Sequence, residues 1–255
     1  MKNFLIAVLF AISANVYAIT LTEMTDSNGD LIVSGGVPGG QVLYQTSAIT
    51  ETDVGSSFGL SWSYVVSGET IAANATIGIA ALDPSHMLLD ISISNISTVD
   101  ERIIAFGFNT NPAVSGVNLI NDSGDVFSMT DFGSSVNFPG FQQIDTCSYS
   151  ADNTNQKCAG SSYQSGLPFG QTDAFQLDLL FDANAFAGDI PPEVILSAFG
   201  MKFQGDLGSF ELSGCPTGTN CTPPPPPPPS KVPEPGSLAL LGLGLLGLGL
   251  SRRKA

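Results

Sequence analysis

Large apolar residues alternate strictly with small or polar ones along much of the chain. Phe58, Leu60, Trp62, Tyr64 and Val66 are interleaved with Gly59, Ser61, Ser63 and Val65. In an extended chain successive side chains point to opposite faces, so this spacing predicts a strand with one apolar face and one mostly polar face. The pattern returns in Leu89, Ile91 and Ile93 against Asp90, Ser92 and Ser94, and in Phe175, Leu177, Leu179 and Phe181 against Gln176, Asp178 and Asp182. Shorter versions occur at Val42 and Tyr44, Ile77 and Ile79, Phe106 and Phe108, and Phe199, Met201 and Phe203. Turn signals separate these runs, among them Asn28-Gly29, Gly35-Gly36, Ser67-Gly68, Asp83-Pro84 and Pro139-Gly140. Short strands at this spacing predict an all-β fold, an antiparallel β-sandwich of jelly-roll-like kind. Helical periodicity is confined to one expected turn at Glu193 to Phe199, behind Pro191 and Pro192.

The two ends of the chain break the alternation. Residues 1–18 hold Lys2, an apolar core from Phe4 to Ile12 and the exit Val16-Tyr17-Ala18, which predicts a secretory signal peptide cut between Ala18 and Ile19. A sandwich ectodomain is then expected over residues 19–222, followed by a linker over residues 223–231 that begins with seven prolines, Pro223 to Pro229. Such a run is polyproline II, a semi-rigid spacer of about 20 Å. The tail, residues 232–255, opens on Val232-Pro233-Glu234-Pro235, continues as a Leu/Gly span over about residues 236–250, and closes on residues 251–255 with Arg252-Arg253-Lys254. Cationic flanks stay in the cytoplasm, so the body is expected on the far side of the membrane. At about 1.5 Å per residue the strict run Leu238 to Leu250 is short for a hydrocarbon core of about 30 Å, so Gly236 and Ser237 must be drawn in. A single short, Gly-rich transmembrane helix suits a segment held only until it is cut.

The order Val-Pro-Glu-Pro, Leu/Gly span, basic cluster resembles the PEP-CTERM sorting signal of Gram-negative bacteria. The resemblance implies recognition by an exosortase, an integral-membrane cysteine protease or transpeptidase whose substrates are exported proteins of exopolysaccharide-making organisms. It makes Pro233, Glu234 and Pro235 the recognition residues, with Val232 ahead of them. Proline fixes its own φ and biases the residue before it to extended geometry, which keeps Val232 and Glu234 out of the helix. The body also resembles the cistern family of PEP-CTERM proteins, through Arg102 to Pro112, Asn137-Phe138-Pro139-Gly140-Phe141, the segment Cys147 to Cys158 and Phe199 to Gln204. That family implies no activity and no catalytic residues.

Charge narrows the partners. Residues 19–230 keep Arg102, Lys157 and Lys202 against 22 of the 23 acidic residues, a net of −19. Such a surface repels phosphate backbones and anionic lipid, so nucleic acid is excluded and cations, neutral sugars such as exopolysaccharide, or other surface proteins are favoured. Cysteines at 147, 158, 215 and 221 in an exported chain favour disulfides. Local pairing, Cys147 with Cys158 and Cys215 with Cys221, is expected because each loop is turn-rich, although four cysteines allow three connectivities. Asp26, Asn28 and Asp30 carry oxygens at alternate positions, as a calcium loop does, but Leu31 and Val37 stand where an EF-hand needs Gly and Glu. An Asn-Gly hairpin turn explains them without a metal. Asn121, Asp122 and Asp125 are a second calcium candidate; otherwise no cofactor is expected.

No G-x-S-x-G elbow accompanies the only histidine, His86, which reads as a surface turn residue. Trp62, Tyr149 and Tyr163 are candidates for stacking on sugar rings, although Trp62 sits on the core face of its strand. The expectation is a non-enzymatic, exported component of the cell surface or extracellular matrix, anchored transiently in the inner membrane and handed to an exosortase. The alternatives are a carbohydrate-binding module for exopolysaccharide and a glycoside hydrolase using two of the 22 acids.

Overall fold

The computed structural model describes residues 19–38, 40–120, 126–141, 144–150, 157–159, 163–186 and 191–219. The chain divides into two compact units, residues 1–224 and 225–255, and every described residue lies in the first. The expected signal peptide, proline linker and sorting tail fall outside the described residues. Among the described residues no helix is long and apolar enough to cross a membrane.

Thirteen strands form among the described residues. They are β1 (Leu21–Glu23), β2 (Tyr44–Thr46), β3 (Ser57–Val66), β4 (Glu69–Leu82), β5 (His86–Asn95), β6 (Glu101–Asn111), β7 (Gly116–Ile120), β8 (Phe127–Phe132), β9 (Thr146–Ser150), β10 (Thr172–Leu180), β11 (Ile195–Gly205), β12 (Gly208–Ser213) and β13 (Cys215–Pro216). One sheet has the order β1-β2-β11-β6-β9-β8, with β12 also paired to β11; the other has the order β13-β3-β4-β5-β10-β7. Every strand pairing is antiparallel. The all-β sandwich is thus present, and part of its pairing is nested: β6 pairs β11, β7 pairs β10 and β8 pairs β9. By contrast β3, β4 and β5 run as a meander. Ser67 and Gly68 join β3 to β4 with φ of 54° and 86°, the left-handed pair that a twisted two-residue hairpin requires.

The apolar side of each alternating run meets the other sheet. Phe58, Leu60, Trp62, Ile77, Leu89, Ile91 and Leu177 of one sheet share a core with Phe106, Phe108, Phe199, Met201 and Phe203 of the other. Ring pairs bridge the gap, Phe58 with Phe199 at 5.8 Å and Trp62 with Phe106 at 6.0 Å and 90°. Edge-to-face geometry of this kind adds about 0.5–1.5 kcal/mol per pair to the burial itself. A bulge in β11 between Ser197 and Gly200 lifts the Phe199 carbonyl out of the β6 ladder. It accepts instead from the Gly214 N–H at 2.7 Å and from Trp62 Nε1 at 3.3 Å, so the one indole of the chain is fully satisfied in the core.

The outer faces of the two sheets differ. Behind the first sheet Leu43, Ala105, Phe138, Phe141, Ile144, Cys147, Tyr149, Cys158 and Ala198 form a second apolar cluster, packed also by Met24, Ile32 and Val136. The segments 24–43 and 133–144 therefore cover that face. The second sheet shows water its Ser, Thr, Asn and Asp positions.

Two local expectations are corrected. Leu43, not Val42 and Tyr44, is the buried apolar member of its segment, because Leu43 packs into the second apolar cluster behind the first sheet. Residues 193–199 form no helical turn: Val194 bridges Ile49, and β11 starts at Ile195 between β2 and β6, where β-branched and apolar side chains pack on both faces.

Candidate functional site

Among the described residues, the open face of the second sheet carries a shallow groove with both polar and apolar lining. Rows across the strands are set by register: Thr76 opposite Ser92 opposite Ala174, and Gly78 opposite Asp90 opposite Gln176. Gly78 and Ala174 project little or nothing, so a groove of about 350 Å³ opens above β4, β5 and β10, lined by these six positions together with Ile91 and Phe175. Gln176 Nε2 donates to Asp90 Oδ1 at 2.6 Å, which ties the two planar groups together across β5 and β10. Farther along the same face the Ser94 and Thr172 hydroxyls lie 2.7 Å apart. The groove carries one carboxylate, Asp90, where glycoside hydrolysis needs two across a scissile bond.

His86 stands at the end of this face. Its Nδ1 lies 3.0 Å from Asp178 Oδ1, and that hydrogen bond raises the imidazole pKa above the ordinary value. Its local acid is a different residue in a different role: Asp83 Oδ1 accepts from the backbone N–H groups of Ser85 and His86 and so caps the turn, which lowers the Asp83 pKa. The histidine is exposed, as expected of a surface turn.

The candidate calcium loop is an Asx-type turn. Asp26 Oδ1 accepts from the backbone N–H of Asn28 at 2.8 Å and of Asp30 at 3.0 Å, and Oδ2 takes the Asn28 side-chain amide at 3.3 Å. Gly29 sits at φ +85° to close it. These bonds hold the Asp26 pKa below the usual carboxylate range. Among the described residues no group of three or more His, Cys, Asp or Glu side chains is placed to hold a metal ion. Asn121, Asp122 and Asp125 lie outside the described residues.

The aromatic candidates for sugar stacking are not brought to the surface together. Trp62 is 1% exposed and Tyr149 5% exposed, the first in the central core and the second under the covering layer. Tyr149 is buried because β9 lies between β6 and β8 with both of its faces packed. Tyr163 is half-buried in a 3-10 turn. Cys147 and Cys158 are joined in a disulfide whose two sulfurs are fully buried in that covering layer. Cys215, on β13, is disulfide-bonded as well, and Cys221, its expected partner, lies outside the described residues.

Buried charged residues that the sequence pattern did not single out include Glu101, Lys202 and Glu211. Glu101 is fully buried; its Oε1 accepts from the Leu207 N–H at 2.7 Å, while Oε2 has no partner. Burial pushes its pKa up, and the neighbouring Asp206 and Asp100 add to the rise. Lys202 on β11 pairs directly with Glu211 on β12, both buried under segment 34–43. Opposite charges at a cross-strand register position are the signal that would have found this pair.

Ile19, the expected first residue of the mature chain, is buried, and Thr20 begins the pairing of the N-terminal strand through the Ser47 N–H. Ala18 and the motif Val232, Pro233, Glu234 and Pro235 lie outside the described residues. Comparison with known families supplies what the geometry does not: residues 231–254 match the family described as PEP-CTERM protein-sorting motif. The match covers the tail and none of the sandwich. No curated protein matches the chain.

Proposed function

We propose that this chain, whose tail is a PEP-CTERM sorting motif, serves as a structural component of the cell surface or extracellular matrix and has no catalysis of its own. The motif implies export, membrane-associated sorting to the cell surface and processing by an exosortase. That match is the observation carrying the proposal. The body supports it: an acidic, disulfide-closed sandwich is built to persist in an oxidising, wet environment. Fractionation of strains with and without the exosortase tests the sorting step. The mature form should leave the inner membrane only where the enzyme is present, and a body that stays membrane-bound in both strains refutes the reading.

The polar groove favours a second reading, a module that binds exopolysaccharide. Its site would be the open face of the second sheet and not the tyrosines beside the cystine, because Tyr149 is buried. Retention of the purified chain on matrix polysaccharide, with a Tyr163→Ala variant unaffected, is the outcome this reading expects.

A further inference from the structure

Gly78 is out of place for a strand interior. It lies between the fully buried Ile77 and Ile79, and glycine weakens a strand by offering no side chain to pack. Its backbone does not demand glycine, since its φ is not in the left-handed region. Packing does not demand it either: an added Cβ would lie 3.5 Å from Asp90 Cβ, 3.7 Å from the Asp90 carbonyl oxygen and 3.9 Å from that of Ser56, all ordinary contacts. Gly59, on the same face, is a true packing glycine, because a Cβ there would strike Thr217 Oγ1 at 2.5 Å. What the glycine at 78 does is leave the floor of the groove open.

We propose that this groove is a subsite for a neutral polysaccharide chain, an inference that rests on the carbohydrate-binding reading above. Its lining offers the Thr76 and Ser92 hydroxyls beside the Asp90–Gln176 pair, the mixture of donors and acceptors that vicinal sugar hydroxyls match. The bond between Gln176 and Asp90 holds both side chains in place before a ligand arrives, so less rotamer freedom is lost on binding. Charge selects among glycans. Arg102 and Lys202 belong to strands of the other sheet, and Lys157 lies in the turn packed on that sheet. On the groove face the one basic side chain among the described residues is His86, already turned to Asp178. An anionic sugar would meet Asp90 and Asp178 and be repelled.

The test is affinity electrophoresis of the full chain in detergent, in gels containing soluble neutral glucan, mannan or galactan, with alginate as the anionic probe. At least one neutral polysaccharide should retard the protein and alginate should not. Gly78→Val should weaken that retardation at least tenfold while its melting temperature stays level or rises, since a β-branched side chain fits a strand. Gln176→Ala removes a lining group without adding bulk and should weaken retardation severalfold, which keeps the inference refutable even if the valine variant loses its fold. Retardation by a neutral polysaccharide that both variants retain overturns the groove and leaves the carbohydrate-binding reading standing. No retardation in any neutral gel overturns both, and retardation by alginate overturns the charge argument and the subsite with it. A concentration-dependent dimer abolished by Gly78→Val would assign the face to a second copy of the chain and overturn the inference as well.

Discussion

Replacing Cys147 and Cys158 together by alanine measures what the bridge between β9 and the 157–159 turn contributes to stability. The bridge spans a sequence separation of 11 residues. For a loop of that length, the chain-entropy relation gives roughly 9 cal/mol/K, or about 2.8 kcal/mol at 25 °C. Both sulfurs are fully buried among Phe138, Phe141, Ile144 and Tyr149, so their loss adds about 1 kcal/mol of packing each. A total of roughly 4–5 kcal/mol is a large part of a typical stability of about 5–15 kcal/mol, but does not exceed it. For a body of this size each kcal/mol moves the midpoint by about 2–4 °C, so the variant should melt roughly 10–20 °C lower. Alanine is the right replacement, because serine would bury two hydroxyls without partners and confound the bridge with a polar cost. The assay is urea and thermal unfolding under non-reducing conditions, followed by far-ultraviolet circular dichroism. A double variant within about 1 kcal/mol of the parent would refute the reasoning, since it would mean that the 157–159 turn is held on β9 by its apolar contacts alone.

Glu101 makes stability depend on pH in a stated direction. Its pKa is higher in the folded chain than in the unfolded one, so folding takes up a proton between the two values; stability rises as pH falls through that window and is lower at neutral pH. Glu101→Gln keeps the acceptor for the Leu207 N–H, and should raise the neutral melting temperature by a few degrees and remove that part of the pH dependence; parallel curves for variant and parent would contradict this. At Lys202 and Glu211, Lys202→Met alone strands a buried carboxylate and should cost about 3–5 kcal/mol, whereas adding Glu211→Leu should recover most of it; a double variant no better than the single one would show that the pair is more than a mutually neutralising contact. For His86, the imidazole should titrate above the ordinary value of about 6.5 by NMR and return toward it in Asp178→Asn, and an unshifted titration would mean that the hydrogen bond is absent in solution.

The second sheet was legible in the sequence because only one of its faces is packed. Phe58 to Trp62, Leu89 to Ile93 and Phe175 to Leu179 alternate cleanly, and their large apolar members are the ones buried, with Tyr64 and Val66 partly buried at the end of the first run. The first sheet was harder to read. In β6, Ile103, Ile104, Ala105 and Phe106 are all buried, and in β9 all five residues are, so a strand covered on both faces loses its period of two. That is why the burial of Tyr149 was not legible in the sequence, whereas that of Phe106 and Phe108 was. The turn expected at Glu193 to Phe199 failed for the same reason: a continuous apolar run fits a buried strand as well as a helix.

The same contrast explains where a binding surface can lie and what could have revealed it. A sandwich has two outer faces, and alternation alone says which residues point outward, not whether anything covers them. The outward positions of the two sheets carry that information. On the first sheet they include Ala105, Gly107, Cys147, Tyr149 and Ala198, small or apolar groups that only a further layer can shield, and segments 24–43 and 133–144 supply it. On the second sheet they include Ser61, Asn74, Thr76, Asp90, Ser92, Ser94, Thr172 and Gln176, polar groups that need no further layer to shield them. Beside them Gly78 stands between two buried isoleucines, where an added Cβ would make only ordinary contacts, and the β4 bulge begins at the next residue, between Ile79 and Ala81. A glycine at an outward strand position is therefore the sequence signal for the groove, and it becomes readable only once packing and a left-handed backbone have been excluded as its cause.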